Sequence, residues 1–310
     1  MKREEYKKGL LAMLGSMLIW GVLPAYWQAL RPINSWVIIL YRIVLVALYA
    51  FIAAFAKYGL ERIIAPLRDR KTRRKYIMAG AIITINWSTY IYTVNIGQVV
   101  QSALGYYIEP LMICLVGIIF FKEQVTKYKA TALILAFISV VIIIIHFGDV
   151  PGLALLIALT FTIYTAIKTS VEQPPVISIL YETIWFAPFA LVAVIYLEAK
   201  GMGALSVAST GQYIALYACG LVTLIPLGLF ASGARRLPVF LIGLMQYISP
   251  TIALVVGLAF LGESVDMVQI ICFCIIWVGL TFFSIGEYKE IKNMQDQPEL
   301  ETEETAQDQN

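Results

Sequence analysis

Ten apolar runs follow one another along this chain of 310 residues, at 9–28, 36–56, 75–95, 102–121, 129–145, 151–166, 176–197, 211–232, 239–261 and 267–286. A hydrocarbon core of ~30 Å needs about 20 helical residues rising ~1.5 Å each, and it admits only segments that satisfy their own backbone polar groups. The fifth and sixth runs are short, with a tight turn at 146–150 between them. With 60% hydrophobic and 14% charged residues, a soluble domain is excluded, and an all-α membrane protein is expected.

Lys and Arg predict which ends face the cytoplasm. If the N-terminus is inside, cytoplasmic segments carry 20 of the 23 basic residues, only Arg31 and Lys200 fall outside, and Arg42 lies within a span. This predicts ten transmembrane helices, N-in and C-in, in a multi-pass protein of the inner cell membrane. The net charge of +3 therefore gives no nucleic-acid signal. The first run lacks an Ala-x-Ala site and is too long for a signal-peptide core, so it is expected to stay as an anchor. Cys114, Cys219, Cys272 and Cys274 fall inside apolar runs and are expected to pack rather than bridge or bind metal. The segment 293–310, with six acids and no base, is expected to be a disordered cytoplasmic tail.

The chain also repeats itself at an offset of 140 residues. Tyr107, Ile108, Pro110, Val116, Gly117, Phe120 and Glu123 recur as Tyr247, Ile248, Pro250, Val256, Gly257, Phe260 and Glu263, which is 7 identities in 17 positions. Roughly two would arise by chance between apolar segments of this composition. Each repeat, 9–146 and 151–288, then holds five spans. An odd number inserts the second copy upside down, the construction of many secondary transporters, in which two similar halves expose one central site alternately to each face.

Polar and aromatic groups inside apolar spans mark candidate cavity walls. Asn86, Tyr90 and Thr93 share one face of the third span with Trp87 adjacent and Asn95 further out; Trp20, Pro24 and Trp27 repeat the spacing on the first, and Thr160, Tyr164 and Lys168 on the sixth. Tyr106, Tyr107, Gln246 and Tyr247 flank Pro110 and Pro250, prolines that remove a backbone donor and free a carbonyl for a solute or a neighbouring side chain. The fifth and tenth spans are almost wholly apolar and face lipid or a partner subunit, which leaves a homodimer open. Charges in a bilayer need partners. Arg42 and Glu109 enter from the same face to a depth of ~10 Å, so they are expected to pair. Glu182, at the repeat position of Arg42, is expected to meet Ser249 or Lys168. Glu123 and Glu263 end their spans and read as helix-end or gate contacts.

Trp20-Gly21, Arg42, the ALGYYIEP run ending at Pro110, Lys122-Glu123, Tyr181-Glu182 and the QYISPT run from Gln246 to Thr251 stand in an order and spacing that resemble the EamA family of the drug/metabolite transporter superfamily. The resemblance implies two inverted five-helix repeats around a central cavity, with the fifth and tenth helices peripheral. It further implies an exporter of a small metabolite or drug-like solute, amino-acid-like or chloramphenicol-like, with no cofactor. Glu109 departs from the family pattern, where Asn commonly precedes this proline; a carboxylate there would select cations or carry a proton. P-loop, HExxH, GxSxG and dinucleotide motifs are absent and His146, the one histidine, lies at an outer turn, so no enzyme is expected. A passive channel and a non-transporting scaffold or sensor are the competing classes.

Overall fold

The computed structural model describes residues 3–95, 99–148, 152–261 and 266–307, with side chains at all of these except 3, 91, 94, 95, 99–103, 147, 261 and 290–307. Among the described residues every regular element is helical: α1 (Arg3–Ala29), α2 (Ser35–Arg68), α3 (Arg70–Asn95), α4 (Val99–Ile119), α5 (Lys127–Phe147), α6 (Gly152–Thr169), α7 (Pro175–Thr183), α8 (Ala187–Ala199), α9 (Thr210–Ala234), α10 (Val239–Gln246), α11 (Ile248–Val256) and α12 (Met267–Gln307). Eight helical stretches are long and apolar enough to cross a membrane, and Leu104–Ile119 is a shorter apolar helix. The chain is thus an all-helical, multi-pass membrane protein. α12 carries the helical backbone on to Gln307, through most of the acidic segment.

Side-chain caps set several boundaries. Asn34 accepts from the Trp36 N–H to start α2, Asp69 accepts from Thr72 at 2.7 Å to start α3, and Ser209 with Gln212 forms a capping box on α9. α2 is two helices merged across Gly59, whose φ of 73° only glycine adopts without strain.

Two expected spans are interrupted. The run at 176–197 is split into α7 and α8 by a turn at 184–186, because Pro188 in the first turn of α8 has no N–H to continue the ladder. The run at 239–261 is split at Tyr247, three residues before Pro250, and ends in a π-helical turn at Gly257–Leu261. Pro110, its repeat mate, stays inside an unbroken α4.

Helix packing follows the 140-residue offset. α1 packs on α9 as α6 packs on α3; α4 packs on α6 as α11 packs on α1; α3 packs on α7 as α9 packs on α2. The pairs α4 with α10, α2 with α7, and α5 with α12 map onto themselves. This is the signature of a pseudo-twofold axis. α5 and α12 form a side pair in which Ser139 Oγ donates to the Cys272 carbonyl at 3.0 Å, while Ile134, Phe137, Ile145 and Ile271 remain exposed. Cys114, Cys219 and Cys272 are buried and Cys274 is exposed; all four are free thiols.

Candidate functional site

The site begins with Arg42 on α2. Its guanidinium carbon lies 3.9 Å from the ring centre of Trp87 on α3 and 5.5 Å from that of Trp27 on α1. Such stacking partly compensates a cation removed from water. Tyr26 holds this wall by donating its hydroxyl to the Ala215 carbonyl and packing edge-on against Trp27 at 4.9 Å. Tyr90 and Tyr106 meet edge to face at 5.7 Å, and both lie in electrostatic range of Arg42. Tyr106 nevertheless is 42% exposed and Tyr90 36%. Arg42 beside them is itself only half-buried.

Arg42 and Glu109 do not pair. Among the described residues Arg42 makes no hydrogen bond or ion pair, and its Nε is sealed without an acceptor. Glu109, 5% exposed, likewise has no ion-pair or hydrogen-bond partner among them. Equal depth brings two residues to one level of the membrane, but rotation about each helix decides whether they meet. Here the guanidinium turns onto two indoles.

The polar face of α6 is consumed by packing. Asn86 Nδ2 donates to the Ile157 carbonyl at 2.8 Å and to Thr160 Oγ1 at 3.0 Å, pinning α3 to α6. Tyr164, fully buried, donates to Glu182 at 2.9 Å. Lys168 Nζ sits 2.6 Å from Glu182 Oε1 and 2.7 Å from Ser178 Oγ, and Ser178 in turn donates to Glu182 at 2.9 Å. Of the two partners expected for Glu182, Lys168 is the one it meets. Close by, a Cβ at Gly80 would collide with the Glu182 carbonyl, so glycine lets α3 touch α7 here. Trp20 joins Phe161 and Phe230 in an aromatic plug, with ring centres 6.0 and 5.4 Å away. Thr93 is buried and bonds its own helix through the Thr89 carbonyl, while the Asn95 side chain lies outside the described set.

The proline segments divide differently. Tyr107 and Tyr247 are buried, and the Tyr247 hydroxyl donates to the Tyr107 carbonyl. Gln246, 5% exposed, keeps its Nε2 without an acceptor. Thr251 Oγ1 takes up the Tyr247 carbonyl at 2.8 Å, so a neighbouring hydroxyl is already engaged on that side of Pro250.

Three groupings escape sequence reading because their partners are remote. Glu123 receives the Val239 and Phe240 N–H groups, both at 2.7 Å, and so caps α10, whose own N-cap residue is Pro238. Its repeat mate Glu263 lies outside the described residues. Lys129 and Glu287 pair at 2.9 Å in a buried position, with the Tyr6 hydroxyl also on Glu287. Glu5 pairs with Arg236 at 2.8 Å. These contacts tie α1 to α5, α12 and the turn after α9 at the end rich in basic residues. An apolar groove of 580 Å³ between α4 and α6 belongs to the outer surface, with Leu115, Ile119 and Leu159 exposed in it. Among the described residues no group of three or more His, Cys, Asp or Glu could hold a metal ion.

The EamA-like transporter family matches the chain twice, over residues 7–145 and 151–285. "Uncharacterized transporter YojE" of Bacillus subtilis is 33% identical over 294 residues, covering 93% of this chain and 97% of the relative. "Protein RarD" of Streptomyces exfoliatus is 31% identical, covering 92% and 90%. A solved crystal structure shares the fold with a TM-score of 0.68 at 16% identity, covering 88% of this chain and 96% of its own. The chain therefore belongs to the EamA-like transporter family and is a homologue of RarD.

Proposed function

We propose that this protein is a secondary transporter of the inner cell membrane, with ten spans, both termini cytoplasmic, and two inverted five-helix repeats that carry a small metabolite or drug-like solute outward by alternating access. The single observation carrying the reading is the asymmetry between the two ends of one bundle. Arg42, Tyr90 and Tyr106 are partly exposed, which we read as a cavity open at that end, while at the basic end Tyr6, Lys129, Glu287, Lys168 and Glu182 are buried in contacts. A solute site reachable from one side and sealed from the other is what an alternating carrier presents in each of its states. The paired packing of the repeats supplies the second state, in which the mate contacts exchange roles.

Saturable counterflow in proteoliposomes tests it. Preloaded solute should accelerate uptake of labelled solute and the rate should saturate, whereas non-saturating flux or ion conductance favours a channel and neither favours a scaffold. Glu109 is the candidate proton carrier, since a buried carboxyl without a fixed partner is free to exchange a proton with the cavity. Glu109→Gln should abolish flux driven by a pH gradient while leaving counterflow; undiminished gradient-driven flux removes Glu109 from coupling.

A further inference from the structure

The unmatched guanidinium of Arg42 is the most unusual group in the interior. An arginine among apolar helices normally acquires a carboxylate or several carbonyls, because a buried charge without them is costly. Arg42 has neither among the described residues. Its guanidinium carbon lies over the ring of Trp87 at 3.9 Å and that of Trp27 at 5.5 Å, and the partly exposed Tyr90 and Tyr106 lie within electrostatic range. An aromatic ring offers a cation no hydrogen-bond acceptor, so the N–H donors stay unmatched; with Nε sealed, the donors a ligand would meet are those of the two Nη groups. The edge of an arginine fork is complementary to a planar oxyanion, and the surrounding rings to a flat apolar body.

From this geometry we infer that Arg42 is the specificity-determining residue of the cavity and that the solute is a small organic anion, a carboxylate on a flat or aromatic body. The inference rests on the reading of this cavity as the substrate site and narrows its substrate class. The carboxylate supplies the charge the protein withholds from Arg42, and the aromatic body slides against Trp87, Tyr90 and Tyr106. Discrimination follows from the same arrangement. A neutral analogue would leave the guanidinium desolvated and unpaired, and a cationic one would meet it with like charge.

Three probes of one shape and different charge test this on the purified protein in nanodiscs: 4-nitrobenzoate, 4-nitrobenzamide and 4-nitrobenzylamine, read by saturable quenching of tryptophan fluorescence. Nitrobenzoate should bind at least about tenfold more tightly than the other two, the scale of one charge-assisted hydrogen bond. Arg42→Gln should erase that preference, and Arg42→Lys should keep it with weakened affinity, since the charge persists but the fork and the stacking do not. Equal affinity for acid and amide, preference for the amine, absence of saturable binding, or an Arg42→Gln variant that still prefers the acid overturns the inference. If Arg42→Gln does not yield monodisperse protein, the wild-type ranking and Arg42→Lys decide, and unchanged affinity in the lysine variant counts against it. Counterflow of the same probes separates the two readings. Acid that is bound through Arg42 but not carried sinks transport and keeps the anion site; amide and acid carried equally well sinks the anion site and keeps transport.

Discussion

The phenolic hydroxyl of Tyr247 donates to the backbone carbonyl of Tyr107 at 3.1 Å, joining two tyrosines that stand 140 residues apart at the same place in the two repeats. The bond breaks the symmetry of the repeat, because among the described residues only one of the two hydroxyls makes it. A Cβ at Gly243 would stand 2.8 Å from the Pro110 carbonyl, so α4 and α10 already touch at backbone distance beside it.

Tyr247→Phe keeps the ring and removes the donor. A buried carbonyl left without its partner should lower stability by about 1 kcal/mol, and the thermal unfolding midpoint in detergent by about 2 °C. An unchanged midpoint would show that the hydroxyl adds nothing net to the α4–α10 junction.

Lys168 and Glu182 form a fully desolvated pair, so their substitutions should be strongly non-additive. Lys168→Met and Glu182→Leu should each cost about 3–5 kcal/mol by stranding the partner's charge, while the double variant should cost less than the sum of the singles. Additive losses in the cycle would mean that the two charges are stabilised separately.

Glu123 is the acceptor for the first N–H groups of a helix in the other repeat. Glu123→Ala should destabilise by about 1 kcal/mol and speed amide hydrogen exchange at Val239 and Phe240, with α12 unaffected. Protection that persists at both amides would rule out the cap.

Asp266 starts α12. The Val268 N–H first, and then the His146 ring nitrogen 2.6 Å away, hold its carboxyl below the ordinary value of 3.8. A carboxyl whose folded pKa is depressed contributes stability that is fully present above its unfolded pKa and lost as pH falls through the folded one. Exchange protection at the start of α12 should therefore be constant down to about pH 4 and fall below it. Asp266→Asn should remove that acid-dependent step; an identical step in the variant would assign it to another group.

Legibility tracked the range of each interaction. The apolar runs, the repeat and the membrane class are written in neighbouring residues and were readable directly. The partner of Glu182 was readable as one of two candidates, because Lys168 lies on the adjacent helix 14 residues away. The Arg42–Glu109 pair was not, since matched depth says nothing about rotation. Residue type and spacing do not show that Tyr107, Tyr164 and Tyr247 are buried while Tyr90 and Tyr106 are partly exposed. Lys129 with Glu287, and Glu123 with the start of α10, join positions 158 and 116 residues apart, beyond any local pattern.

What the chain determines by itself is the free energy of placing each segment in lipid, a sum over consecutive residues, and this sets the class, the helical runs and the duplication. Tertiary structure alone decides how far each helix turns about its axis. A turn of about 100° per residue carries a side chain from a neighbour to an open cavity. That rotation seals Lys168 against Glu182 and leaves Arg42 between two indoles with its donors unanswered.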